Sequence, residues 1–173
     1  MTTDRPKTFG IRDARSEELD AVSAVIAAAY EQYAPVFPSE QWRAYADDIA
    51  NVRSRLNEAD LIVAERGGRI AGTVTFYQDG SSGGWPEGWA AIRLLAVHPD
   101  SRGPGIGRAL TEECIERCRE RGIATVGLHT TEAMSVARGM YERMGFKRVP
   151  QFDFRPSADV VVMAYRLEVS AGR

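Results

Sequence analysis

Cysteine is almost missing from this chain: Cys114 and Cys118 are the only two in 173 residues. That is too few for the disulfide framework of a small secreted domain. They stand one helical turn apart with no third or fourth ligand nearby, so they read as small core residues and no metal is expected. Long apolar runs are missing too. Nothing approaches the roughly 18 residues of a membrane span, and "MTTDRPKTFG" lacks the apolar core of a secretion signal, which predicts a cytoplasmic protein with no membrane partner. Lysine is scarce, since 20 of the 22 basic residues are arginine, and with 24 acidic residues the net charge is −2. No basic block remains to bind nucleic acid in bulk. Internal repeats are absent. With 44% apolar and 27% charged residues the composition is that of one ordinary globular domain.

Periodicity supplies the order of elements. "TFGIR" reads as a short strand. Ser16 is placed to cap a helix with Glu17 and Glu18 in its first turn, continuing through Leu19, Val22, Val25, Ile26 and Ala29. "YEQYAPVFP" breaks it, and Ser39 is expected to cap a second helix from Glu40 to about Asn57. "LIVAE" and "IAGTVTFYQ" flank "RGGR", a hairpin signal, and "DGSSGGWPEG" reads as the most flexible interior loop. "WAAIRLLAV" is a strand, followed by a glycine loop, a helix stopped by Gly122, and the strand "TVGLHT". "EAMSVARGMYERM" is a further helix closed by Gly145; "FKRV" and "DVVVMAYRL" finish as strands. The unit from Trp89 to Thr130 predicts a right-handed crossover between parallel strands, with its loop at their carboxyl ends, where open α/β sheets bind ligands.

That loop, "VHPDSRGPGIGRAL", carries Gly103, Gly105 and Gly107 at alternate positions and runs straight into a helix. It is not a dinucleotide fingerprint, because Arg108 stands where the third glycine of G-x-G-x-x-G belongs. Nor is it a nucleoside-triphosphate loop, because no Lys-Ser/Thr follows Gly107. What remains is bare backbone at a helix N-terminus, where unpaired N–H groups and the positive dipole end attract a phosphate without a metal.

"LAVHPDSRGPGIGRAL" resembles the acyl-CoA-binding segment of the GNAT superfamily of N-acyltransferases, its [QR]-x-x-G-x-[GA] core filled by Arg102, Gly105 and Gly107. "ARGMYERMGF" resembles the second signature of that superfamily, A-x-x-x-Y-x-x-x-G-F, through Ala137, Tyr141, Gly145 and Phe146. The resemblance covers about residues 9–167, taken as one N-acetyltransferase domain between flexible ends at 1–8 and 168–173. It implies an α/β fold (α+β in some schemes): a mixed, mostly antiparallel central sheet flanked by helices, with a parallel strand-loop-helix-strand acyl-CoA site. It implies acetyl-CoA as cosubstrate and an amine as acceptor, with homodimerisation left open. Backbone groups of Arg102, Gly103, Gly105, Ile106, Gly107 and Arg108 become candidates for the CoA pyrophosphate, and main-chain groups of Leu95 and Val97 for the pantetheine arm. Pro104, without an N–H, is a departure from the pattern. So is Met134, which stands where the family usually has Asn; Ser135 is the nearest substitute.

Amine attack on a thioester develops an oxyanion and then a thiolate, so the site needs a donor at the oxygen, an acid for sulfur and a route for the amine's proton. Val97 N–H is assigned to the first and Tyr141 to the second, since a phenol of pKa about 10 stays protonated at neutral pH. Tyr141 has a competing structural reading: if Gly145 ends the helix, Tyr141 and Phe146 are the pair that touches in a Schellman cap. The base is unassigned, for this strand carries none of the glutamate that family members often place there. His98 reads as an exposed turn residue; His129 ends a central strand and either faces the cleft or, the favoured reading, is a satisfied core histidine; Glu87, Glu132, Asp153 and a water chain stay open. The resemblance also implies that the connection between the first two helices borders the acceptor, which makes Tyr30, Glu31, Tyr33 and Phe37 candidates for its wall; ordinary core and lid packing of these aromatics is the open alternative. The alternative to an enzyme is a non-catalytic acyl-CoA-binding sensor or interaction module of the same fold.

Overall fold

A computed structural model describes residues 8–170 of the chain. Its elements in order are β1 (Gly10–Asp13), α1 (Leu19–Tyr30), α2 (Ser39–Ala50), β2 (Asp60–Arg66), β3 (Arg69–Tyr77), β4 (Ala90–Val97), α3 (Ile106–Glu120), β5 (Thr125–Thr131), α4 (Ser135–Arg143), β6 (Lys147–Arg148), β7 (Phe154–Ser157) and β8 (Val160–Glu168). The eight strands form one sheet in the order β1-β2-β3-β4-β5-β8-β6, with β7 also paired to β8. Every strand pair is antiparallel except β4–β5, which α3 joins as a crossover.

The hairpin is where the sequence puts it: Gly67 and Gly68 both have positive φ, at 58° and 77°, the backbone a two-residue turn of the I′ type requires. Helix starts depart from expectation. Ser16 caps nothing; the Glu18 carboxylate instead accepts from the Arg15 N–H at 2.8 Å and holds Arg12, which also reaches Glu65. A 3-10 turn therefore precedes α1. At α2, Ser39 is the first helical residue, behind Pro38, and its side chain makes no cap bond. That helix stops at Ala50, well short of Asn57, because the buried guanidinium of Arg55 takes over its last carbonyls, donating to Asp48 O at 2.6 Å and Asn51 O at 2.7 Å. Where the C-terminal tail was expected to start, Glu168 ends β8 and Val169 N–H donates to Ala124 O. Residues 1–7 and 171–173, most of the two ends expected to be flexible, lie outside the described residues.

The sheet is covered on both faces. On one, α3 and α4 pack Ile106, Leu110, Cys114, Cys118 and Tyr141 onto Ile62, Val74, Ile92 and Leu128. Both cysteines are fully buried core residues, and burial pushes the Cys118 thiol up to about 11. On the other face, α1 and α2 pack Val22, Ile26 and Ile49 onto Val63, Leu94 and Ala96. A third cluster lies farther along that second face, around Trp85, Tyr77, Ala91 and Ala164. It corrects the reading of "DGSSGGWPEG" as a loose loop: Trp85 is only 5% exposed, stacks on His129 with centroids 4.6 Å apart, and lies so close over Gly127 that a Cβ there would meet its ring at 2.7 Å. Glycine at 127 is thus required by a close approach.

Candidate active site

The site exists because two neighbouring strands stop pairing. β4 and β5 are in register only at Ala90↔Val126, Ala91↔Gly127 and Ile92↔Leu128. Beyond Ile92 a bulge enters β4: Arg93 faces Thr75 and Ala96 faces Thr73, so Leu94 and Leu95 share the space opposite Val74. Leu94 absorbs the extra residue with φ 55°, the one positive φ outside glycine among the described residues. A bulky residue there is strained, and strain of this kind concentrates at functional sites. The bulged strand bends from β5 and opens a cleft that runs through the sheet from one face to the other. Its volume is about 640 Å³, within the range of small-molecule sites.

On the α3–α4 face, the cleft meets the glycine loop. Gly103 and Gly105 have φ of 110° and 85°, a conformation open to glycine and costly for other residues, so the loop backbone turns into α3 with no side chain in the way. The first backbone bond of α3 runs from Ala109 N to Gly105 O, which leaves the amides of Ile106, Gly107 and Arg108 unpaired at the positive end of the dipole. All ten residues proposed from the sequence, Leu95, Val97, Arg102, Gly103, Gly105, Ile106, Gly107, Arg108, Ser135 and Tyr141, border this one cavity.

The strand edge behaves differently at its two assigned residues. His98 N–H donates to Ala71 O at 2.8 Å and Val97 lies opposite Gly72. Peptide groups alternate along an antiparallel strand, so those of Val97 turn away from β3 into the cleft, where β5 no longer pairs. Leu95 faces the same way, but its carbonyl already accepts from the Tyr30 hydroxyl at 3.2 Å. That bond was invisible in sequence. So was Thr130, whose buried Oγ1 has no hydrogen-bond partner among the described residues and which lines the cavity. An orphaned hydroxyl and an unpaired strand edge in one cleft fit a ligand bearing amides and carbonyls of its own.

Tyr141 fulfils the cap geometry. Phe146 N–H donates to Tyr141 O at 3.0 Å and Gly145 N–H to Glu142 O at 3.1 Å, the paired bonds of a Schellman motif, with Gly145 at φ 100° and the Tyr141 and Phe146 rings 5.6 Å apart. The same ring borders the cavity, and its hydroxyl forms no hydrogen bond among the described residues. The two readings of Tyr141 are therefore compatible. Burial pushes its phenol well above the ordinary value, which makes it a permanent O–H donor and a weaker acid than a free phenol of pKa about 10.

The remaining candidates separate cleanly. His98 accepts from Asp100 N–H at 3.1 Å in the turn after β4 and stays outside the cavity. Asp153 is committed to Arg148, at 2.6 Å through each oxygen, and to Ala164 N–H. Glu31, Glu87 and Glu132 are exposed and do not line the cleft. Tyr30 and Tyr33 do, while Phe37 packs behind them on Trp42 and Tyr45. Met134, the residue in the usual Asn position, is partly buried against the apolar cluster that α1 and α2 form on the sheet. His129 combines its two readings, being both satisfied and at the cleft. It is partly buried, lines the cleft, and its Nε2 lies 3.0 Å from Phe152 O. A carbonyl can only accept, so Nε2 carries the proton and Nδ1 keeps its lone pair. Burial lowers the pKa of the ring and the charge of Arg93 adds to this, against the hydrogen bond to Phe152, which raises it; the net shift favours the neutral form.

A mixed sheet splayed at its one parallel pair, with a glycine-lined helix N-terminus at the splay, is the architecture of acyltransferases of the GNAT type. The chain belongs to the acetyltransferase (GNAT) family, whose sequence model matches residues 23–146. A mycothiol acetyltransferase of Cellulomonas flavigena is 38% identical to it over 108 residues, 57% of this chain and 31% of that protein. One from Propionibacterium freudenreichii is 32% identical over 150 residues, 83% of this chain and 45% of the relative. The chain spans less than half the length of these relatives. Among solved structures, a Thermoplasma acidophilum N-acetyltransferase in complex with coenzyme A superposes with TM-score 0.71 at 19% identity, over 90% of this chain and 97% of that one. The Escherichia coli ribosomal-protein-S18-alanine N-acetyltransferase gives 0.68 at 20% identity, over 95% and 96%. At these identities the likeness is one of fold. No helix of the described residues is long and apolar enough to cross a membrane, and no group of three or more His, Cys, Asp or Glu among them is placed to hold a metal ion.

The cap geometry makes a stability prediction. Tyr141→Ala deletes the ring that closes α4 on Phe146, a change of a kind that costs about 3–5 kcal/mol, and should lower Tm by more than about 5 °C in calorimetry. Tyr141→Phe keeps the ring and gives up no protein hydrogen bond, so its Tm should match the parent.

Proposed function

We propose that this domain is an N-acetyltransferase that moves an acetyl group from acetyl-CoA directly to a primary amine within a ternary complex. The observation that carries the reading is the cleft through the sheet: a phosphate-type helix N-terminus at one mouth, a phenol O–H and a free strand amide in its wall, and a neutral imidazole toward the other mouth. The amides of Gly103 and of Gly105 to Arg108, together with the Arg102 and Arg108 side chains, would hold the pyrophosphate. Leu95, Val97 and Ser135 would border the pantetheine arm.

In the reaction the amine nitrogen attacks the thioester carbon, the C–N bond forms and the C–S bond breaks. Val97 N–H is oriented to stabilise the oxyanion. The Nδ1 of His129, free and neutral, takes the proton that the amine must lose and passes it to solvent. Tyr141 donates its O–H to the departing sulfur. Because burial holds this phenol so firmly protonated, its contribution is a hydrogen bond to the thiolate, and solvent completes the thiol after release.

Three measurements test the assignment. Gly107→Glu places a carboxylate where a Cβ meets only ordinary contacts, with Val97 Cγ2 at 3.6 Å nearest. The charge suits the helix dipole, so the fold should hold while titration calorimetry shows CoA affinity reduced by about tenfold or more; unchanged affinity would remove the loop from the site. With an amine panel and acetyl-CoA, read by released thiol, Tyr141→Phe should lower kcat about 10- to 100-fold with little change in KM for acetyl-CoA, the worth of a hydrogen bond to a charged group. No thiol release from the parent with any amine would leave a binding module instead. For His129, the neutral form is the active one and its pKa is lowered, so the acid limb of kcat should lie at lower pH than an ordinary imidazole would set. His129→Gln should abolish that acid limb and lower kcat; an identical profile in the variant would place the base elsewhere.

A further inference from the structure

The charged side chains that border the cleft are all of one sign, apart from the neutral His129. The cavity is bordered by Arg93, Arg102, Arg108 and Arg143, and by no aspartate or glutamate. Arg102 and Arg108 belong to the glycine loop. Arg93 does not: it precedes Val97 by four residues along β4, but with the bulge between them the two lie opposite Thr75 and Gly72, three rungs or about 10 Å apart, and it points to the opposite face. The register settles the direction. Arg93 is paired with Thr75 and therefore shares its face. Thr75 lies among Val52, Leu61 and Arg55, beneath the end of α2.

Three features make Arg93 more than a solvated surface cation. It interrupts "AAIRLLAV", a central strand in which every other residue is apolar. Its head is exposed although the next residue, Leu94, is buried against α1, and the bulge that strains Leu94 is what sets the two beside each other on one face. Among the described residues it makes no salt bridge or side-chain hydrogen bond, in a protein where Arg12, Arg55, Arg117 and Arg148 each hold a carboxylate. Its charge is felt on both sides of the cleft, by Tyr30 and Tyr45 from the helices and by His129 from β5. An unneutralised guanidinium in a partly enclosed cleft favours a bound anion, and its planar fork matches a carboxylate.

We infer that the acceptor is a small amine that also carries a carboxylate, an amino acid or close analogue, with Arg93 holding the carboxylate and the Tyr30–Tyr33 wall its apolar part. This deepens the transferase reading and rests on it. The Arg93 grip would leave the amine of such a molecule between His129 and the gap in the sheet, on the far side from Tyr141. Arg93 is then a specificity residue.

The test uses pairs of amines that differ only by the carboxylate, phenylalanine with phenethylamine and lysine with cadaverine, assayed with acetyl-CoA by thiol release. The parent should prefer the carboxylated member by about 10- to 100-fold in kcat/KM, the worth of a charge-assisted pair. In Arg93→Ala that ratio should collapse toward one, and in Arg93→Glu it should invert. Preference for the carboxylate-free members, or a ratio unmoved by either variant, overturns the inference while acetyl transfer itself stands. A binding arm covers the case in which no amine turns over and the transferase reading falls: N-acetylphenylalanine and N-acetylphenethylamine are titrated into the CoA complex. Tighter binding of the carboxylate, lost in Arg93→Ala, sustains the anion site without catalysis; equal binding removes it.

Discussion

Everything about this site depends on a lost hydrogen-bond ladder. β4 and β5 form three residue pairs and then part, because one extra residue in β4 is accommodated at Leu94 with a left-handed backbone. A continuous sheet would be impermeable. The splay opens one face to the other, as the proposed transfer between two bound molecules would need, and it exposes strand amides that would otherwise be consumed in pairing. The strain at Leu94 persists because its neighbours over-determine it: Leu94 and Ala96 are packed under α1, and Ile92 lies under α3 and α4.

The two faces then acquire different characters from their helices. The α3–α4 side is built from backbone polarity, glycines and a helix N-terminus, suited to a ligand recognised by phosphate and amide groups. The α1–α2 side is built from side chains: Tyr30, Tyr33, Arg93, and a histidine fixed between Trp85 and Phe154. Such a division lets one half of the cleft stay constant in chemistry while the other is free to vary with the acceptor. Tyr141 serves both halves of the argument, closing α4 through its ring and presenting its hydroxyl at the gap.

Much of this was legible in the sequence because it is written in local signals. Alternate glycines before a helix, Gly145 after one, and "RGGR" between two β-rich runs each specify a backbone conformation by themselves, and the structure contains all three. The failures are long-range. No local pattern announces that Arg55 will end α2 by seizing its carbonyls, that Glu18 will replace Ser16 as a cap partner, or that Trp85 will pin a glycine-rich loop over Gly127. Leucine is among the last residues expected at positive φ, so the bulge had no sequence signature, and with it went the placement of Arg93. A central strand leaves His129 open between core and cleft; only the contact with Phe152 O, 23 residues away, shows which nitrogen is free.

The central claim is that one cleft joins the two faces at the splay of β4 and β5. A crystal structure of the protein with CoA tests it most directly. The account predicts the pyrophosphate on the amides of Gly105 to Arg108 and the sulfur at the gap, in hydrogen-bond reach of the Tyr141 hydroxyl, with His129 and Arg93 facing it from the other side. A CoA molecule bound along the α3–α4 face with its sulfur directed to solvent, away from Tyr141 and the strand gap, would contradict it.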